Sequence, residues 1–151
     1  MKIAILGSGG REHAITATIS KSSKIKNIYC IPGNAGTLEI ATNIDLDINS
    51  FETLRNFIHE NKIDLVVVGP EQPLVNGIVD YLEKFNIKVF GPNKIASQLE
   101  GSKIFTKKLC EKYKIPTAQF GIFEKISDAE KFLNNCDYPI VVKADGLAAG
   151  K

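Results

Sequence analysis

Short uninterrupted apolar runs alternate along this chain with segments whose apolar positions recur at helical spacing. Residues 3–6 form the first run, followed by a glycine turn and a pattern that predicts a helix over 11–21. A second run covers 28–31 and is stopped by Pro32-Gly33-Asn34. Phe51, Leu54, Phe57 and Ile58 then repeat with helical period and predict a helix over 49–61, with Asn49 and Glu52 as its capping box. Residues 65–68 are the plainest buried strand, bounded by Asp64 and Gly69-Pro70. Leu74, Ile78, Leu82 and Phe85 make one stripe and predict a helix over 73–85, before a strand at 88–90 that Gly91-Pro92 closes. Strands without polar alternation, each followed by a helix, indicate a parallel sheet covered on both faces. Residues 1–101 are therefore expected to form a doubly wound, Rossmann-like α/β domain.

After Gly101 the pattern changes. A lysine-rich helix is expected over 102–114, ended by Ile115-Pro116. A strand follows at 120–123, then a helix to about 135 opened by a capping box of Ser127 and Glu130. Another strand, 139–143, runs into the small-residue stretch Asp145-Gly146-Leu147-Ala148-Ala149-Gly150-Lys151. A glycine- and alanine-rich turn is a poor place for a domain to finish, so 102–151 is expected to be an incomplete second unit.

Composition narrows the function classes. With 44% apolar and 24% charged residues in 151, the chain can bury a core without a disulfide or metal staple. A net charge of +2 from 19 basic and 17 acidic residues excludes a general nucleic-acid binder. Cys30, Cys110 and Cys136 form no CxxC pair and read as reduced thiols of a cytoplasmic protein. His13 and His59 lack a ligand-spaced partner, which argues against zinc. The apolar start is too short for a signal peptide, and nothing approaches the roughly 18 apolar residues of a membrane span.

Candidate chemistry lies in the loops. Gly7-Ser8-Gly9-Gly10-Arg11-Glu12-His13 sits between the first strand and the first helix, where helix-start amides face an anion. A dinucleotide fingerprint would need glycine or alanine where Glu12 stands, and an acid after the second strand where Asn34 stands. The loops at Pro32–Gly36 and Gly69–Gln72 follow the second strand and the 65–68 strand, on the edge where open parallel sheets bind ligands. Each loop alone reads as a turn. Together they favour a sugar-phosphate site, with Gly9 and Gly10 on the phosphate and Asn34 and Glu71 toward hydroxyl or amine groups. Most of the lysines between 103 and 114 read as a solvated helix face, Lys103 excepted because Gly101-Ser102 precedes it at a domain junction. Lys143 is either a phosphate contact or a lysine snorkelling from a strand end.

Six motifs occur in order: Gly7 to His13, Pro32 to Thr37, Val68 to Glu71, Phe90-Gly91-Pro92, Leu99 to Lys103, and Lys143 to Lys151. Together they resemble the phosphoribosylamine–glycine ligase family of ATP-grasp enzymes. The resemblance implies that the first domain precedes the beginning of an ATP-grasp domain. It implies that ATP phosphorylates glycine, and that the amine of phosphoribosylamine attacks the acyl phosphate to give glycinamide ribonucleotide, ADP and phosphate. It further implies Mg2+ or Mn2+ as the accompanying ion and small molecules as the partners, with no nucleic acid and no membrane; a monomer is expected. By motif position, Gly9, Gly10, Asn34, Gly69, Pro70 and Glu71 belong to the phosphoribosylamine side. Lys103 and Lys143 would contact ATP phosphates, and Asp145, Gly146, Leu147, Ala148, Ala149, Gly150 and Lys151 would open the loop that covers them. Arg11, Glu12 and His13 receive no individual role and are expected to line the site or support the first loop. The metal ligands and catalytic groups would lie beyond Lys151, so this chain alone is not expected to catalyse. The alternatives are another ATP-grasp ligase of purine synthesis, which the Gly10-Arg11-Glu12-His13 and Gly69-Pro70-Glu71 strings disfavour, and a nucleotide-binding module without catalysis.

Overall fold

The computed structural model describes residues 1–148, and the chain divides after Ser97 into two compact units. In the first, β1 (Lys2–Gly7), β2 (Asn27–Pro32), β3 (Thr42–Asn43), β4 (Leu65–Val68) and β5 (Val89–Phe90) form one sheet in the order β3-β2-β1-β4-β5. Every pairing is parallel, with Ile5 opposite both Cys30 and Val67. Strand order reverses at β1, so the switch point lies between the carboxyl ends of β1 and β4.

Alternation along the central strands explains the two helical layers. Ala4, Leu6, Val66 and Val68 point to one face, where they pack with Leu54 and Ile58 of α3 (Phe51–Glu60). Leu74 of α4 (Glu71–Asn76) and Ile78, Val79 and Leu82 of α5 (Ile78–Glu83) complete that core. Ile3, Ile5, Ile28 and Cys30 point to the other face, against Ile15 and Ile19 of α1 (Gly10–Ile19). Leu54 is fully buried, so Leu54→Ala is expected to cost about 2–5 kcal/mol in urea unfolding. A loss below about 1 kcal/mol would mean that α3 does not anchor this layer. Burial pushes the Cys30 thiol up, which suits an inert core residue beside Thr16.

Several boundaries differ from the sequence reading. The helix expected over 73–85 starts earlier, at Glu71, and is cut in two at Gly77, whose φ of 94° is left-handed. Ser50 rather than Asn49 occupies the N-cap of α3, because Asn49 N–H turns back to the Asp47 carboxylate at 2.9 Å. The short helix α2 (Ala35–Leu38) and β3 lie where only a loop was foreseen. Their stability is local and polar: Asn43 Nδ2 donates to Asn34 O at 2.7 Å and Thr37 N–H to Asn34 Oδ1 at 2.9 Å. The helix α6 (Lys94–Gly101) was also not foreseen; Asn93 Oδ1 accepts the Ala96 N–H in its first turn.

In the second unit, α7 (Lys103–Lys112) and α8 (Ile126–Leu133) form, with Ser102 capping the former through Phe105 N–H at 3.0 Å. Ser127 lies inside α8, whose N-cap is Lys125, so the expected capping box is absent. The strands expected at 120–123 and 139–143 do not form. A strand needs a neighbouring ladder, and among the described residues none pairs with these segments, leaving Val141 and Val142 78% and 82% exposed. Among the described residues no helix is long and apolar enough to cross a membrane.

Candidate functional site

The carboxyl ends of β1, β2 and β4 bring three loops together. Backbone bonds continue beyond the strands, from Gly33 N–H to Gly7 O at 3.2 Å and from Gly69 N–H to Leu6 O at 3.1 Å. The loop after β2 is tied to the loop after β1 by Asn34, whose Nδ2 donates to Ser8 O at 2.8 Å and to Gly9 O at 3.4 Å. Asn34 is also the N-cap of α2, so both ends of its amide hold backbone groups.

Gly9 is the N-cap of α1, and the first helical bond runs from His13 N–H to Gly9 O at 3.1 Å. The amides of Gly10, Arg11 and Glu12 therefore precede the helical ladder, at the positive end of a ten-residue helix. Gly9 N–H itself is taken by Glu12 Oε2 at 2.7 Å. Gly10 differs from its neighbours: a Cβ there would meet nothing within 4 Å. The fold does not require that glycine, whereas close approach of a bound group would.

Glu12, placed where a dinucleotide fold has its third glycine, is 4% exposed. Its side chain crowds the surrounding backbone, and glycines absorb it. A Cβ on Gly7 would lie 2.7 Å from Glu12 Cδ and one on Gly69 2.6 Å from the same atom. Arg11 Nε donates to Glu12 Oε1 at 3.0 Å, and Arg11 Nη1 to Glu71 Oε1 at 2.9 Å. Glu71, in the first turn of α4, thus joins the third loop to the first. Arg11 holds the Glu71 carboxyl below its ordinary value, with the amide of Glu71 itself assisting. His13 packs against α2, where a Cβ on Gly36 would come 3.2 Å from its ring. Gly69 and Pro70 form the turn into α4, with Pro70 as its N-cap. The six residues assigned to the phosphoribosylamine side, Gly9, Gly10, Asn34, Gly69, Pro70 and Glu71, therefore share one edge of the sheet. The supporting roles of Arg11 and Glu12 were not individually legible; the signal was an acid and a base side by side in a glycine loop.

The Arg11–Glu71 pair is half exposed and so of small value. A lowered carboxyl stabilises above its unfolded titration, near about pH 4, and that contribution is lost as pH falls through the lower folded value. Native protein and Glu71→Gln are expected to differ by less than about 1 kcal/mol in urea unfolding at pH 7, and not at all once pH has fallen below the lowered folded titration of Glu71. A larger gap at neutral pH would show that the pair is desolvated.

In the second unit the Asp145 carboxylate sits at the start of α7. It accepts from Ser102 Oγ at 3.0 Å and Ile104 N–H at 3.2 Å, the latter being the main cause of its lowered titration. Lys103 Nζ donates to Gly146 O at 2.5 Å. Lys103, Asp145 and Gly146 are thus brought together, while Lys143, Leu147 and Ala148 are exposed. Ala149, Gly150 and Lys151, also assigned to the ATP loop, lie outside the described residues. Among the described residues no group of three or more His, Cys, Asp or Glu could hold a metal ion.

A cleft of about 850 Å3 lies elsewhere, at the amino ends of β4 and β5 and lined by Arg55, His59, Lys62, Lys84 and Lys88. Lys62 and Lys84 follow the carbonyl ends of α3 and α5, where cations are favoured without any ligand.

Residues 1–100 match the family described as phosphoribosylglycinamide synthetase, N domain, and residues 101–151 match the ATP-grasp (A) domain of the same enzyme. A phosphoribosylamine–glycine ligase from Mesorhizobium japonicum is 52% identical over 151 residues, covering 100% of this chain and 36% of the relative. One from Caldanaerobacter subterraneus is 49% identical with the same coverage. The crystal structure of phosphoribosylamine–glycine ligase from Thermotoga maritima is similar with a TM-score of 0.79 at 35% identity, covering 100% of this chain and 34% of that one. The chain spans 36% of the length of the curated relatives it matches.

Proposed function

The chain belongs to the phosphoribosylglycinamide synthetase family, and on that premise we propose that the whole protein ligates glycine to 5-phosphoribosylamine with ATP, through a glycyl phosphate. Residues 1–101 serve as the domain that binds the phosphoribosyl substrate, and 102–151 begin the domain that binds ATP. The observation that carries this reading is the convergence of three glycine loops on one sheet edge, with the amides of Gly10, Arg11 and Glu12 ahead of the helical ladder at a helix start.

In this reading the amides receive the 5-phosphate, a group that needs several donors and little side-chain bulk. Glu71, joined to the first loop through Arg11, is the acid of the third loop that would face the sugar or its amine. Lys103 and Lys143 supply positive charge to ATP phosphates, and the Asp145–Gly146 turn, capped on α7, roots the covering loop. The divalent ion that accompanies ATP would neutralise its phosphates; no described residue cluster suits it, so no step is assigned to ligands within this chain.

The test is ADP release by the whole protein. ADP formation that needs both glycine and phosphoribosylamine, with glycinamide ribonucleotide as the product, supports the assignment. Release driven by formate or bicarbonate in place of glycine would transfer the protein to another ATP-grasp ligase, and no release with any acid would overturn the enzymatic reading.

A further inference from the structure

We propose that Glu12 is a positioning residue for the phosphate loop: its buried carboxylate plugs the switch-point crevice and fixes which amides a ligand can reach. The crevice between the carboxyl ends of β1 and β4 is where an open parallel sheet leaves space for a ligand. Here Glu12 fills that space, since hypothetical Cβ atoms on Gly7, Gly9 and Gly69 would all come within 3.0 Å of its side chain. Gly7 ends β1, Gly9 caps α1 and Gly69 follows β4, so one side chain imposes glycine on three segments.

The carboxylate is nearly fully buried and bonded on both oxygens. Oε2 accepts Gly9 N–H at 2.7 Å, and Oε1 accepts Arg11 Nε at 3.0 Å. The first contact removes one amide from the anion site and holds the loop before α1 in its extended conformation, with Gly9 at φ −87° and ψ 178°. The second turns the Arg11 guanidinium along the loop toward Glu71, rather than leaving it free on a solvated helix. A small residue at this position would leave the crevice empty and Gly9 N–H without its partner. The loop could then collapse inward, and a phosphate would meet a different set of donors.

This inference rests on the phosphoribosyl reading of the site, and its test has two arms that separate the two. The first is a thermal unfolding cycle of Glu12→Ala, Gly69→Ala and the double variant in the whole protein. Gly69→Ala is expected to lower the melting temperature in the native background, and to cost nothing further once Glu12→Ala has vacated the space. Additive losses would overturn the plug. The second arm is titration with glycinamide ribonucleotide. Glu12→Ala is expected to weaken binding at least about tenfold, the value of one charge-assisted hydrogen bond. Glu12→Gln, which keeps an acceptor for Gly9 N–H, is expected to recover most of that loss, and the KM for ATP should not move. Unchanged ribonucleotide affinity in Glu12→Ala, or an equal rise in the KM for ATP, would overturn the positioning role. Failure of the native protein to bind the ribonucleotide would count against the site reading, while the thermal cycle would still decide the plug.

Discussion

Gly7→Ala is expected to destabilise the protein by about 2–5 kcal/mol, from a strained backbone plus an overpacked core. The residue ends β1 with a φ of 123°, a conformation that an L side chain rarely adopts. Its Cβ would also stand 2.7 Å from both Cγ and Cδ of Glu12, which is buried and held by two hydrogen bonds, so the obstacle cannot swing into solvent. Small domains are stable by only about 5–15 kcal/mol. A loss of this size should therefore appear as a large fall in the urea midpoint, followed by circular dichroism on the 151-residue chain. A loss below about 1 kcal/mol would mean that the turn after β1 relaxes easily, and the account of why this loop is glycine-rich would fail.

Gly10→Val should do the opposite: leave stability nearly unchanged and remove ligand binding. Gly10 opens α1 with an ordinary helical backbone, and a Cβ there meets nothing within 4 Å. Exchange of glycine for valine at an exposed first-turn position shifts stability by only about 0.5 kcal/mol. The same branched side chain would project over the amides of Arg11 and Glu12, where a phosphate has to come within hydrogen-bonding distance. Loss of one or two charge-assisted bonds corresponds to on the order of a hundredfold in affinity. Titration with glycinamide ribonucleotide measures this directly, with the melting temperature as the control for folding. Retained affinity would show that the phosphate does not sit on this helix start.

The contrast between these neighbouring glycines marks how far the sequence could be read. The doubly wound parallel sheet was legible because residues 3–6, 28–31 and 65–68 lack polar alternation and each ends at a turn signal. The opening of an ATP-grasp domain was legible only through the resemblance of its motifs. That three loops share one edge followed from strand topology. Which glycines serve the fold and which serve a ligand did not, since Gly7, Gly9 and Gly69 are explained by one side chain that crosses from α1 to β4. Asn34 was read as facing a ligand, yet its amide already bridges two loops through Ser8 and Thr37. Such a bridge depends on tertiary placement that spacing cannot encode. The pair α2 and β3 was missed because each is short and held by Thr37 and Asn43 side chains rather than by an apolar pattern. The strands expected at 120–123 and 139–143 carry the right residues but have no ladder among the described ones. Strand propensity needs a partner before it becomes structure.

The central proposal is that the loops after β1, β2 and β4 bind the phosphoribosyl group. Hydrogen exchange of the whole protein with and without glycinamide ribonucleotide addresses it most directly. Slowed exchange confined to residues 9–13, 33–37 and 69–72 is the expected result. Protection confined to the second unit, or spread evenly over the chain without a focus at Gly10 to Glu12, would contradict it.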